Sequence, residues 1–282
     1  MKNKVFVFSL LSFGILSSCN QNAEPEENTD QEIEVEVVEE KIVDHPESYE
    51  IDGLKIYPSS PSAQFPEASL GFAEEMKSIS EDGNFNFNFS VSGYELGAQS
   101  PDAETKGLAN SAKGQHIHLI VDNGPYSAHY ESGFEKSFEK GHHIAIAFLS
   151  RSYHESVKGA NAHQVFQFTS GSEEDAADVD LSQEMLFYSR PKGSYTGKGA
   201  EKILVDFFLK NTEIAPGGNY IKMTINGSTS VLLDNWQPYF IEGLPMGENT
   251  IKLQLLNSEG NLVDSPMNDI TRTFTLAEEA AE

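Results

Sequence analysis

Phe85-Asn86-Phe87-Asn88-Phe89-Ser90-Val91 alternates a large apolar residue with a small polar one without a break. Alternation with period two puts the rings on one face and the polar groups on the other. The stretch therefore reads as a half-buried β-strand. Ile203-Leu204-Val205-Asp206-Phe207-Phe208-Leu209 lies over it at a shift of 203 − 85 = 118, with Ile203, Val205, Phe207 and Leu209 meeting Phe85, Phe87, Phe89 and Val91. Further on, His116-Ile117-His118-Leu119-Ile120-Val121-Asp122 meets Tyr220-Ile221-Lys222-Met223-Thr224-Ile225-Asn226. Ile144, Ile146 and Phe148 then meet Ile251, Leu253 and Leu255. Shared order and spacing indicate two copies of one unit.

Turn signals such as Asp122-Asn123-Gly124-Pro125 and Asn226-Gly227 separate the short strands of each copy. The reading is all-β: two tandem immunoglobulin-like antiparallel β-sandwiches, the first over 51–170 and the second over 185–277. Residues 171–184 (GSEEDAADVDLSQE) hold six acids and no base and read as a linker or long exposed loop. Residues 278–282 form an acidic tail. Trp236 and Phe240 are expected in the second core.

The chain has 282 residues, 44 acids against 19 bases, and a formal charge of −25, which disfavours nucleic acid as a partner. An apolar share of 38% with 18 Phe and 10 Tyr is enough for real cores. Lys2 and Lys4 precede Val5–Leu16, an apolar run of 12 residues, which is shorter than the ~20 a membrane helix needs and fits a signal peptide. Leu16-Ser17-Ser18-Cys19 resembles a bacterial lipobox, which implies that Cys19, the one Cys, is lipidated and that residues 1–19 are a lipoprotein leader. Residues 20–50 carry 12 acids and one Lys, so they read as a disordered acidic tether. Acids soon after the Cys resemble the surface-export signals of Bacteroidetes-type lipoproteins, which implies an outer-membrane lipoprotein, either surface-exposed or periplasmic.

Seven of the eight His fall between 116 and 163: His116, His118, His129, His142, His143, His154 and His163. Under the repeat, Tyr220, Lys222, Asn249 and Thr250 replace His116, His118, His142 and His143, so the sandwich can be built without these imidazoles. Parity turns Ile117, Leu119 and Val121 toward the core and His116 and His118 away from it. On the later strand it turns Ile144, Ile146 and Phe148 inward and His143, Ala145 and Ala147 outward. His116, His118 and His143 are then expected on one outer face, as a site for Zn or Cu. The segment Ser150–Lys158 is expected to fold over the small Ala145 and Ala147 and to add His154 or Glu155. The same residues also fit a metal-free pocket for an anion or peptide, with Arg151, Ser152 and Lys158 holding an oxyanion and Tyr126, His129, Tyr130 and Tyr153 lining it. A polar packing network is the third reading of the cluster.

The runs GQHIHLIVDNGPYSAHYE, GHHIAIAFLSRSYHESVK and WQPYFIEGLPMGENTIKL resemble a group of Bacteroidetes-type His-rich lipoproteins with domains of unknown function. The likeness spans most of 51–276. Some relatives are labelled phosphopeptide-binding proteins, which implies peptide as a further ligand class. Where that group has three consecutive His, Ile117 replaces the middle one.

No GxSxG elbow, Walker loop, HExxH or Rossmann glycine pattern occurs in the sequence. Three function classes follow: a lipid-anchored binding module using the His cluster, a structural or adhesion lipoprotein, and a Zn-dependent hydrolase. The hydrolase needs a general base, for which Glu155 is the local candidate.

Overall fold

A computed structural model describes residues 48–279. The leader, Cys19, nearly all of the acidic tether and the last three residues of the tail lie outside them. Among the described residues, no helix is long and apolar enough to cross a membrane.

Two immunoglobulin-like β-sandwiches are present. In the first, a three-stranded sheet (Ser69–Phe72, Asn84–Ser92, Gly133–Ser137) faces a five-stranded one. The latter runs in the order Ile79–Ser80, His163–Ser170, Gly141–Ser150, His116–Val121, Ser127–His129. The alternation at 85–91 does what it predicts: Phe85, Phe87 and Phe89 are buried among Phe166, Phe168, Ile117 and Leu119. The rings pack tightly, with Phe85 and Phe168 centroids 4.6 Å apart and Phe87 and Phe134 5.1 Å apart. In the second sandwich, Lys202–Lys210 and its neighbours face a sheet built on Tyr220–Ile225 and Gly247–Leu256. Ile203, Val205 and Phe207 close the core over Ile221, Met223, Ile251 and Leu253.

The repeat is visible in hydrogen bonds as well as in pattern. Asp122 and Asn226 both sit at positive φ (50° and 49°), and their side-chain oxygens accept from the N–H of Ile144 and Thr250 at 2.9 and 2.8 Å. Their own N–H groups donate back to the carbonyls of the same two residues. This pairing, and the registers Leu119↔Ala147 and Met223↔Leu253, relate the later strands by 253 − 147 = 106. The expectation above used 107. A slip of one residue reverses every side chain, so Ala145, Ala147 and Leu149 face the first core, and Ile144, Ile146 and Phe148 face outward. Periodicity could not locate this parity because positions 144–149 are buried on both faces, which gives an unbroken apolar run. Alanine suits 145 and 147 because the phenylalanine cluster already fills that core.

The outward face explains the double burial. Ile120, Ile146 and Phe148 pack on Met185, Phe187 and Phe208 from the second sandwich, all fully buried, with the Phe148 and Phe208 rings 5.3 Å apart. The matching face of the second copy carries Thr224, Thr250, Lys252 and Gln254 and is partly open to solvent. Polar groups interlock across the junction. Asn123 donates to the Leu186 carbonyl and accepts from the Tyr188 N–H, both at 2.9 Å. Buried Asp206 accepts from the Ser156 N–H and hydroxyl and pairs with Lys158 at 2.7 Å.

Two expected boundaries change. Leu54–Pro58 pairs with Tyr239–Glu242, so residues 49–58 complete a sheet of the second sandwich and the first begins near Ser69. The acidic 171–184 segment is strapped to the first sandwich, where the Val179 N–H and carbonyl both bond the Gln167 amide and Val179 and Leu181 join the apolar junction.

Breaking a buried pair by removing one partner is strongly destabilising. Asp206→Ala is expected to lower stability by about 3 kcal/mol in urea unfolding at pH 7. Adding Lys158→Met should cost much less than its effect alone, a non-additivity that a double-mutant cycle measures.

Candidate metal centre

His116 and His118 point away from the first core, as expected, and into the junction, where both are fully buried. His154 reaches them from the turn after Gly141–Ser150. His116 Nε2 lies 2.8 Å from His118 Nε2 and 3.1 Å from His154 Nδ1. One ligand atom from each ring falls within 4.8 Å of the other two. His116 Nδ1 lies 2.8 Å from the Gly114 carbonyl. It can only donate there, so its Nε2 carries a lone pair aimed at the other rings.

All three rings are neutral at physiological pH. Burial holds His116 down to about 4 and His154 to about 2, and Arg190 and Lys192 nearby push the same way. Burial holds His118 well below its ordinary value too. His118 Nδ1 has no hydrogen-bond partner. An orphaned buried polar atom costs about 1–3 kcal/mol, a cost that this ring imposes on the fold.

The second copy supplies the comparison. Its turn Asn257–Asn261 repeats the bonds of Arg151–Glu155, with Asn257 N–H donating to the Asn261 carbonyl as Arg151 N–H does to the Glu155 carbonyl. His154 therefore matches Gly260, and the two sit at φ 68° and 83°. Glycine is at ease there, and a side chain is not. A strained imidazole stands where the repeat uses glycine.

Tyr126 joins the cluster. Its ring stacks on His118 with centroids 3.5 Å apart and planes 15° apart, and its hydroxyl is 3.4 Å from His154 Nδ1. The second sandwich contributes Arg190, whose Nε and Nη2 donate to that hydroxyl at 3.1 and 2.6 Å. Lys192 Nζ sits 3.9 Å above the Tyr126 ring and donates to the Tyr126 carbonyl. Sequence reasoning missed Arg190 and Lys192 because they lie in the other copy. Two bases flanking Pro191 in so acidic a chain were the available signal.

The other candidate residues lie elsewhere. His143 is on the opposite face of its strand, bonding Asp122 Oδ2 at 2.6 Å and the Glu139 carbonyl at 2.9 Å. Asn249 makes the matching bonds in the second copy, to Asn226 and the Pro245 carbonyl. His143 is thus a turn residue, and its expected place beside His116 and His118 is corrected. His129 also faces away, stacked on Phe134 at 3.4 Å. Arg151 clamps the Ala63 and Ser156 carbonyls and pairs with Glu155, which also neighbours Lys106. Ser152 exchanges hydrogen bonds with Ser100, and Tyr153 donates to Asp102. Lys158 is taken by Asp206. Arg151, Ser152, Tyr153 and Lys158 are therefore committed to fixing the loop and form no shared pocket with the imidazoles. Glu155 is no ligand or base for them either. His142 and His163 serve local bonds, to Thr169 and Gln167 and to Gly159 and Lys210. Trp236 packs against the second core and the junction.

No family model and no curated protein matches the chain. Among solved structures it is similar to the fibronectin(III)-like modules of Clostridium thermocellum CbhA, at 10% identity over 76% of this chain and 96% of that one, with a TM-score of 0.26. The central fibronectin-III array of RIM-binding protein gives 7%, 77%, 71% and 0.26. The Bacteroides ovatus mixed-linkage glucan utilization locus protein SGBP-B, in complex with a mixed-linkage heptasaccharide, gives 11%, 73%, 47% and 0.22. The fold assignment above stands on strand order and register.

Two outcomes follow. With chelator present, His154→Gly should be more stable than His154→Ala by about 1 kcal/mol, since only glycine fits that backbone. His129 and His163, each held to about 4 by burial, ordinarily titrate near 6.5. The unfolded chain then binds more protons than the folded one between those values, so stability should fall as pH drops from about 6.5 toward 4. Urea midpoints at pH 7 and pH 5 check the sign.

Proposed function

We propose that this chain is a metal-binding protein of the bacterial cell envelope, holding Zn²⁺ or Cu²⁺ through His116, His118 and His154. The observation that carries the reading is the convergence of three imidazole nitrogens, two on fully buried rings and the third on a half-buried, strained residue where the repeat has glycine. Imidazole is the neutral ligand that suits these ions. A tetrahedral Zn²⁺ with bonds of about 2.0–2.1 Å spaces its ligand atoms roughly 3.3–3.4 Å apart. The contacts at 2.8 and 3.1 Å need only a small opening to reach that spacing.

A lipid on Cys19 and the acidic tether would hold the two sandwiches at the outer membrane, in keeping with the resemblance to His-rich lipoproteins. The metal reading is favoured over a phosphopeptide pocket because Arg151, Ser152 and Lys158 are already engaged.

Calorimetry on metal-stripped protein prepared without a His tag should give one site per chain for Zn²⁺ or Cu²⁺, with a higher Tm on loading. His118→Ala and His154→Gly should each weaken binding by more than about 100-fold. Absence of uptake for every divalent ion tried overturns the assignment.

A further inference from the structure

The site as described has a charge problem. Its three imidazoles bring no negative charge, and Arg190 and Lys192 stand on Tyr126, which stacks on His118. Among the described residues, no carboxylate joins the cluster, and neither Arg190 nor Lys192 makes an ion pair. A divalent cation placed there would meet only like charge and neutral groups.

Arg190 has an unusual partner set. It is buried, and a buried guanidinium ordinarily faces a carboxylate. Here two of its nitrogens converge on the Tyr126 oxygen, and its Nη1 donates to the Tyr195 hydroxyl at 3.1 Å. Two guanidinium donors on one oxygen is the arrangement used for anionic oxygen. With both donors on one side of Tyr126 Oη, its own hydrogen is left to point at His154 Nδ1, 3.4 Å away. The stack on His118 and the Lys192 ammonium over the ring hold the phenol in that place. The repeat does not need it, since Ser230 fills the corresponding position, exposed, opposite Thr224.

We infer that Tyr126 is the fourth ligand of this centre, bound as a phenolate whose charge offsets that of the ion and is shared with Arg190. The inference rests on the three-imidazole reading above. As the ion enters, the Oη–H bond breaks, a metal–oxygen bond forms, and the proton passes to the buffer. No electron moves. The donor set becomes three nitrogens and one anionic oxygen, drawn from the first sandwich and secured by a base from the second. A centre with four protein ligands is closed. Closed sites retain or store an ion, whereas hydrolytic zinc keeps an open position for water. The inferred role is therefore metal holding, with transition-metal ions that accept phenolate as the ligand class.

Copper reports the bond directly. Titrating the metal-stripped protein with Cu²⁺ should raise a visible phenolate-to-copper charge-transfer band that saturates at one equivalent. Calorimetry in two buffers of different ionisation enthalpy should show one proton released per ion. Tyr126→Phe should still bind Cu²⁺ through the imidazoles, at least tenfold more weakly, with neither band nor released proton. A wild-type copper complex lacking the band overturns the phenolate assignment and leaves the three-imidazole site standing, and so does a Phe variant with the same affinity and spectrum. Wild-type protein that takes up no copper and no zinc overturns both. If the Phe variant fails to fold, the wild-type spectrum and proton count decide alone.

Discussion

Ile120, Ile146 and Phe148 lie against Met185, Phe187 and Phe208 with no surface left to solvent. Each such side chain contributes roughly 1.5–3 kcal/mol when fully buried, so the six together make a strong reason for the two sandwiches to meet on these faces. The rest follows from that contact. It turns the outer face of one sheet into an interior and takes His116 and His118 out of water. Desolvation then keeps the rings unprotonated and their lone pairs free. It also brings Arg190 to a tyrosine of the other module.

Much of this architecture was legible in the sequence. The alternation at Phe85–Val91 declares a strand, and the recurrence of its pattern near 203 declares a duplication. His116 and His118 were correctly turned away from their own core because Ile117, Leu119 and Val121 alternate with them and match apolar partners. The later strand defeated the same logic. Ile144-Ala145-Ile146-Ala147-Phe148-Leu149 is apolar on both sides, so either parity fits, and the larger residues were assigned to the nearer core. They belong to the junction. The misplacement of His143 is the direct result.

Residues that act from a second module are invisible to any reading confined to the first. Arg190 and Lys192 have no pattern linking them to a histidine some seventy residues earlier. The value of an internal repeat is that it separates what the fold requires from what it does not. Asn249 performs the work of His143, which makes that histidine architectural. Tyr220, Lys222 and Gly260 stand where the first copy has His116, His118 and His154, so the repeat is built without those three imidazoles. Strain at position 154 fits the same division, since unfavourable backbone geometry persists where something other than stability maintains it.

The pairing of Leu54–Pro58 with Tyr239–Glu242 has a consequence for how the molecule is made. A chain emerging amino end first presents this strand long before its partner exists, so it must wait through the whole of the His-bearing module. That module is in effect an insert, flanked on both sides by pieces of its neighbour. A force applied at Tyr49–Pro58 would be felt first by the outer sheet of the carboxyl-terminal sandwich, and the insert would be spared until that sheet gave way.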